Sequence, residues 1–154
     1  MSTPSPTRMS SALSAEHRAR LMGLAREVNI PEGTRIFEEG SPAEFFWIIR
    51  SGTVTLDIQV PQQRPVVIES LGFGELVGWS WLFPPYEWGL GAEAMTPVRA
   101  LEFDARNVRM MMDADLAFGS AIGHWVGSVL AHRLHAARVR LLDLYAPHGS
   151  GSTL

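Results

Sequence analysis

The chemistry open to this sequence is narrow. It has no cysteine, which removes thiolate catalysis, disulfides, iron–sulfur ligation and cysteine zinc sites together. His17, His124, His132, His135 and His148 all fall outside the span Val28–Phe103, where strand-forming residues concentrate. A metal-dependent β-barrel enzyme needs imidazoles on its inner strands so that several reach one ion, so that class is excluded. His132 and His135, three apart, share one face of a helix, which reads as a solvated face. There is no nucleophile elbow, no phosphate loop and no carboxylate pair beside a base. No metal ligands and no catalytic residues are assigned.

Two segments still carry chemistry. One is the glycine turn Gly72-Phe73-Gly74-Glu75-Leu76. The other is the aromatic, proline-broken stretch with Trp79, Trp81, Phe83, Pro84, Pro85, Tyr86 and Trp88. Trp79 and Trp81, with Trp88, suit an aromatic wall for a flat ligand. They equally suit filling a pocket from within, any exposed remainder serving as a docking patch for a protein partner. Between Arg64 and Arg99 the chain has no Arg, Lys or His, while Glu69, Glu75, Glu87 and Glu93 all lie there.

These segments need elements to position them. A chain of 154 residues suits one domain with a real core. With 46% hydrophobic and 19% charged residues it is globular. The net charge of −3 without an arginine cluster argues against a nucleic-acid-binding face. Met1–Ser14 is rich in Ser, Pro and Thr and lacks an apolar signal core, so residues 1–14 are expected to be a flexible tail. The apolar stretch Leu116–Ala131 is broken by His124 and falls short of the roughly 20 residues a bilayer span needs. A soluble, cytoplasmic chain without a membrane contact is expected.

The domain is expected over 15–145. A helix from Ala15 to about Arg26 would be capped by Ser14, with Leu21 and Leu24 facing inward. From 28 to 103 the period shortens. Apolar runs at Val28–Ile30, Arg35–Phe37, Phe45–Ile49, Val54–Ile58, Val66–Ile68 and Val98–Phe103 alternate with glycine and proline turns, the pattern of an antiparallel roll or sandwich. Asp104 would cap a short helix over 105–112, and Asp113 a long one over 114–145, with Pro147 marking its end and 146–154 a second flexible tail. In the long helix Gly119, Gly123, Gly127 and Ala131 recur every fourth residue. Each such glycine costs about 1 kcal/mol relative to Ala, so the strip implies close backbone approach, read here as packing on the chain's own roll.

The segments Ile30-Pro31-Glu32-Gly33, Ile36-Phe37, Glu39-Gly40, Phe46-Trp47-Ile48-Ile49 and Ser51-Gly52-Thr53-Val54, then Gly72 to Leu76 and Ala94 to Phe103, resemble the effector domain of the Crp/Fnr and cyclic-nucleotide-binding family, from about Leu21 to Tyr145. The resemblance implies a mainly β fold with flanking helices: an antiparallel β-roll of the double-stranded β-helix or jelly-roll type, followed by a long C-terminal helix. It implies that Gly74, Glu75 and Leu76 open a phosphate-binding cassette, whose helical turn aims backbone N–H groups at a cyclic phosphate. Glu75 would then accept from a ribose hydroxyl; its other reading is a carboxylate capping its own turn. Trp88 and Gly89 would complete the pocket.

The family has Arg followed by Ser or Thr where register from Ala94 places Trp88 and Gly89. Losing a charge-assisted arginine contact to phosphate costs roughly 1.5–3 kcal/mol. Cyclic AMP in its usual mode is therefore disfavoured as a ligand, and a neutral or aromatic one is preferred. A cyclic nucleotide would need an arginine from elsewhere: Arg64, Arg99 or one from a partner's helix. The resemblance also implies a homodimer through the long helix, by way of Val126, Val129, Ala137, Leu141 and Leu144. Because the sequence ends within ten residues of Tyr145, no winged helix-turn-helix follows and no direct DNA binding of that kind is expected. The expected function is a non-catalytic sensory or regulatory module. The alternatives are a ligand-free scaffold for a protein partner and a true cyclic-nucleotide binder.

Overall fold

The glycine and proline turns cut the middle of the chain into strands too short to bury an apolar face alone, so they associate as two facing sheets. The structure, a computed structural model, describes residues 8–145. The strands are β1 (Ala25–Ile30), β2 (Arg35–Phe37), β3 (Phe45–Ser51), β4 (Val54–Ile58), β5 (Val66–Leu71), β6 (Leu76–Val77), β7 (Gly91–Ala94) and β8 (Val98–Asp104). They form two four-stranded sheets in the orders β1-β8-β3-β6 and β2-β7-β4-β5, with antiparallel pairing throughout. This is the β-roll expected from the sequence, and β5 and β6 each lie at an edge.

Four helices flank the roll: α1 (Met9–Ala12), α2 (Ala15–Met22), α3 (Ala105–Ala114) and α4 (Leu116–Tyr145). The tails expected at 1–14 and 146–154 fall largely outside the described residues. Within the first of them, however, α1 forms, and Met9 and Leu13 are buried in the core. Ser14 caps α2 as expected, its hydroxyl accepting the His17 N–H at 3.2 Å. The helix ends at Met22, short of Arg26, because Ala25 onward pairs with β8. Asp104 caps α3 by accepting from Arg106 and Asn107. The cap of α4 is Asp115, which accepts from Phe118 at 3.1 Å; Asp113 lies inside α3.

Strand β7, Gly-Ala-Glu-Ala, has no strand-forming residue, and its place explains its composition. Ala92 and Ala94 are fully buried, and at Gly91 a side chain would collide with the Arg35 guanidinium and the Asp57 carboxylate. Arg35 bridges β2 and β4 across β7, meeting Asp57 at 2.5 and 3.0 Å. The hydrogen bond to Asp57 holds the Arg35 guanidinium above its ordinary value, so it stays charged.

The long helix divides differently from expectation. Phe118, Ile122, Trp125, Val126 and Val129 are buried against the rest of the chain. Val126 and Val129 are thus core residues, which corrects their assignment to a partner surface. Of the small-residue strip only Gly119 packs closely, against the backbone of Met112 in α3, while a side chain at Gly123 or Gly127 would meet nothing within 4 Å. The strip beyond Gly119 faces away from the roll, because the inward face of the helix is already taken by the larger residues.

Gly52 and Gly33 separate two costs of positive φ. Both are left-handed, at +94° and +85°, but a Cβ at Gly52 would overlap the Pro97 carbonyl, whereas one at Gly33 would meet nothing within 4 Å. Gly33→Ala is expected to lose about 1 kcal/mol, the backbone cost alone. Gly52→Ala should lose about 3 kcal/mol, because overpacking adds to it. Urea denaturation of the two variants checks the difference.

Candidate ligand-binding site

The mouth of the roll lies between β6 and β7, where residues 78–90 cross it and α4 runs past. The turn leading into this region is held by its own backbone: Gly74 N–H donates to Ile49 O at 2.7 Å, and Ile49 N–H to Glu75 O at 3.1 Å. The Glu75 carboxylate accepts the Gly72 N–H at 3.1 Å, so the side chain caps its own turn. Leu76 is buried in β6. The helical turn of the segment comes later, as a 3₁₀ turn at Ser80–Leu82.

Three tryptophans decide the shape of the mouth. Trp81 is fully buried; it stacks on Phe46 at 4.1 Å, which stacks in turn on Phe103 at 4.8 Å. Its indole N–H donates to Gly78 O at 3.0 Å, so the polar end of the ring is satisfied. Trp88, 5% exposed, lies flat on Phe37 with centroids 3.9 Å apart. That position is open only because residue 78 is glycine: a Cβ there would come within 2.5 Å of the Trp88 ring. Trp79 is half-buried, edge-on to Phe83 at 6.1 Å. Gly89, beside Trp88, is exposed.

The cleft left between Phe37, Leu56, Trp79, Trp88 and Leu90 is about 30 Å³. That is room for a small cluster of water-sized groups, against the several hundred Å³ of a typical small-molecule pocket. Wider hollows, such as one of about 500 Å³ beside Tyr86 and Arg109, are grooves on the outer surface.

One charged side chain lines the cleft, and the sequence did not single it out. Arg133 of α4 reaches in with its side chain only 11% exposed. Its Nη2 donates to the Leu76 carbonyl, its Nε lies 3.7 Å from a Glu69 oxygen, and its buried Nη1 has no hydrogen-bond partner among the described residues. Burial pulls the guanidinium below its ordinary value, while Glu69 and Glu75 act to raise it. The segment between Arg64 and Arg99 has no cation of its own, but α4 supplies one to the cleft. Arg64 and Arg99, the arginines considered from sequence, are exposed. The signal for Arg133 was in the helical period: the buried series Phe118, Ile122, Val126, Val129 continues to 133.

Among the described residues no cluster of three His, Cys, Asp or Glu side chains could hold a metal, and no helix is long and apolar enough to cross a membrane.

Comparison with known proteins agrees with this fold. A family model described as "Cyclic nucleotide-binding domain" matches residues 27–115. A CRP-like cAMP-activated global transcriptional regulator of Mycobacterium tuberculosis is 29% identical over 126 residues, covering 82% of this chain and 54% of its own. The chain thus spans about half the length of the curated relatives it matches. A protein described as cyclic nucleotide-binding from Geobacter metallireducens superposes with a TM-score of 0.72 at 27% identity, covering 82% of this chain and 91% of its own. A cyclic nucleotide-binding domain of Methylobacillus flagellatus does so with a TM-score of 0.77, covering 85% of this chain and 74% of its own; at 17% identity it speaks for the fold alone.

The packing of Trp88 gives a direct test of how the mouth is closed. Trp88→Ala is expected to cost about 3–5 kcal/mol, as for a buried aromatic. Trp79→Ala, at a half-buried site, should cost less than half of that. Denaturant midpoints of both variants measure it.

Proposed function

The chain belongs to the family of cyclic nucleotide-binding domains, and from that premise we propose that it is a non-catalytic regulatory domain whose ligand pocket is closed by its own tryptophans. The observation that carries this reading is the stack of Trp88 on Phe37 above Gly78. The resemblance sets the phosphate-binding arginine of the family at the position of Trp88, and here that position holds an apolar plug. The roll contains no room for a nucleotide while the plug is in place. A ligand that enters must displace residues 78–90, and it shifts the domain between closed and open forms only by as much as it prefers the open one. Activation by cyclic AMP is a property of the mycobacterial relative, and this chain does not take cyclic AMP in the usual way.

A homodimer through α4 completes the reading. Gly123, Gly127, Leu130, Leu134, Ala137, Leu141 and Leu144 are spaced alternately by four and three residues, the repeat of a coiled-coil seam. A side chain at Gly123 or Gly127 would meet nothing in the same chain, and Leu134, Leu141 and Leu144 are 55%, 55% and 69% exposed. Small residues at one end allow two helices to approach closely, and the leucines beyond supply apolar area. Of the five residues assigned to a partner surface from sequence, Ala137, Leu141 and Leu144 remain there.

Calorimetric titration of the wild-type chain with cyclic AMP and cyclic GMP tests the closed pocket. Binding no tighter than millimolar is expected, and low-micromolar affinity for either nucleotide overturns it. For the seam, sedimentation should show a wild-type dimer that the pair Leu141→Glu and Leu144→Glu converts to monomer. A wild-type monomer at high micromolar concentration rejects the dimer.

A further inference from the structure

A second hollow, of about 210 Å³, lies where α1 meets β3, β8 and the turn before β6, and it shares no residue with the cleft at the mouth. Its floor is apolar: Met9 of α1, Ile48 and Ile49 of β3 and Leu101 of β8 line it, all of them core residues. One wall is the ring of Phe73, which is 59% exposed. Two arginines complete the lining. The Arg8 guanidinium lies 5.2 Å from the centre of the Phe73 ring, and its stem packs on Gly74, where a Cβ would come within 3.0 Å of it. Arg50, exposed, stands on the rim. Neither guanidinium has a hydrogen-bond or ion-pair partner among the described residues. No carboxylate lines the hollow. The Glu75 carboxylate is engaged by the Gly72 N–H, and Glu27, opposite Leu101 in the β1–β8 register, lies outside the lining. Residues 1–7 include no Asp or Glu, so the segment before Arg8 brings no counter-charge.

We propose that this hollow binds a small organic acid with an apolar body, an alkyl or aryl carboxylate, its body against Phe73 and the floor and its carboxylate between Arg8 and Arg50. Apolar walls with a few charged groups are the make-up of small-molecule sites. At about 210 Å³ the hollow falls below the several hundred Å³ of a drug-sized pocket, so the molecule is small. Two cations without an acid select an anion, and the guanidinium fork matches a carboxylate edge to edge. A bare inorganic ion leaves the floor uncovered, and a doubly charged group gives up more hydration beside it than a carboxylate does. Phe73 and Gly74 lead directly into Glu75 and β6, and the Gly74 N–H donates to Ile49 O at 2.7 Å. An occupant therefore bears on the turn that precedes the mouth. The inference is independent of the closed-pocket reading.

The test titrates the full chain with octanoate at constant ionic strength and follows the methyl resonances of Met9, Ile48 and Leu101. Acetate, which has the charge without the body, and octylammonium, which has the body with the opposite charge, are the controls. Octanoate is expected to shift these three residues saturably at millimolar concentration. Its affinity should fall about threefold to fivefold in Arg8→Met and in Arg50→Met, as for partly exposed charge pairs, and about tenfold or more in the double variant. Arg50→Lys, which keeps the charge, should recover part of the loss. Should Arg8→Met fail to fold, Arg50→Met, at an exposed position, carries the comparison alone. Absence of a saturable shift, an equal response to acetate or octylammonium, or an unchanged affinity in Arg50→Met and the double variant overturns the inference. So do shifts confined to Trp79 and Trp88, which place the acid in the cleft at the mouth. None of these results bears on whether Trp88 closes that cleft.

Discussion

A roll of two facing sheets has an apolar interior that must be filled, because empty space in a protein core forfeits dispersion contacts that nothing else replaces. Everything else in this domain follows from how that demand is met at the mouth. The deep part is filled by the column Trp81–Phe46–Phe103, anchored by the indole hydrogen bond to Gly78. The shallow part is filled by Trp88 on Phe37. Gly78 serves both, accepting from one tryptophan through its carbonyl and making way for the other through its missing side chain. On the proposed reading of a closed pocket, a ligand competes for space already occupied, and its apparent affinity falls by the work of expelling the plug.

The same demand explains the division of labour on α4. The helix presents Phe118, Ile122, Trp125, Val126 and Val129 to its own chain and then outruns it, leaving Leu134, Leu141 and Leu144 exposed. Its polar contacts also fall into two groups. Arg20 of α2 ties the Asp115 cap at 2.7 Å, fixing where α4 begins, while Arg133 and Arg140 reach back to backbone carbonyls of the roll.

Much of this was legible in the residues, and the failures have physical causes. Strand positions were marked by β-branched and aromatic runs, so β2 and β4 begin and end where the sequence places them. Strand β7 has no such run because its residues answer to crowding from Arg35 and Asp57 and not to propensity. Helix α2 stops early because pairing of β1 with β8 outweighs a helical pattern that would have continued. Trp88 was found by counting register from Ala94, and its aromatic character suited both a wall for a flat ligand and a pocket filled from within. Arg133 escaped notice since a cation in a helix is by default a solvated side chain; the inward period that carries it into the core was read only as far as its apolar members. The glycines of α4 were read against the roll because close approach was sought inside the chain, where larger residues already stand.

Arg133 and Arg140 also suggest why the helix is a natural output for the pocket. They are seven residues apart, two turns, and so lie on one face. Arg133 donates to Leu76 of β6 and Arg140 to Ile68 of β5, and these are edge strands of the two different sheets. The helix is thus tied to an edge strand of each sheet by one arginine. On the proposed reading, opening the pocket and shifting α4 would be one equilibrium, and a ligand would act on it only by its preference for the open form.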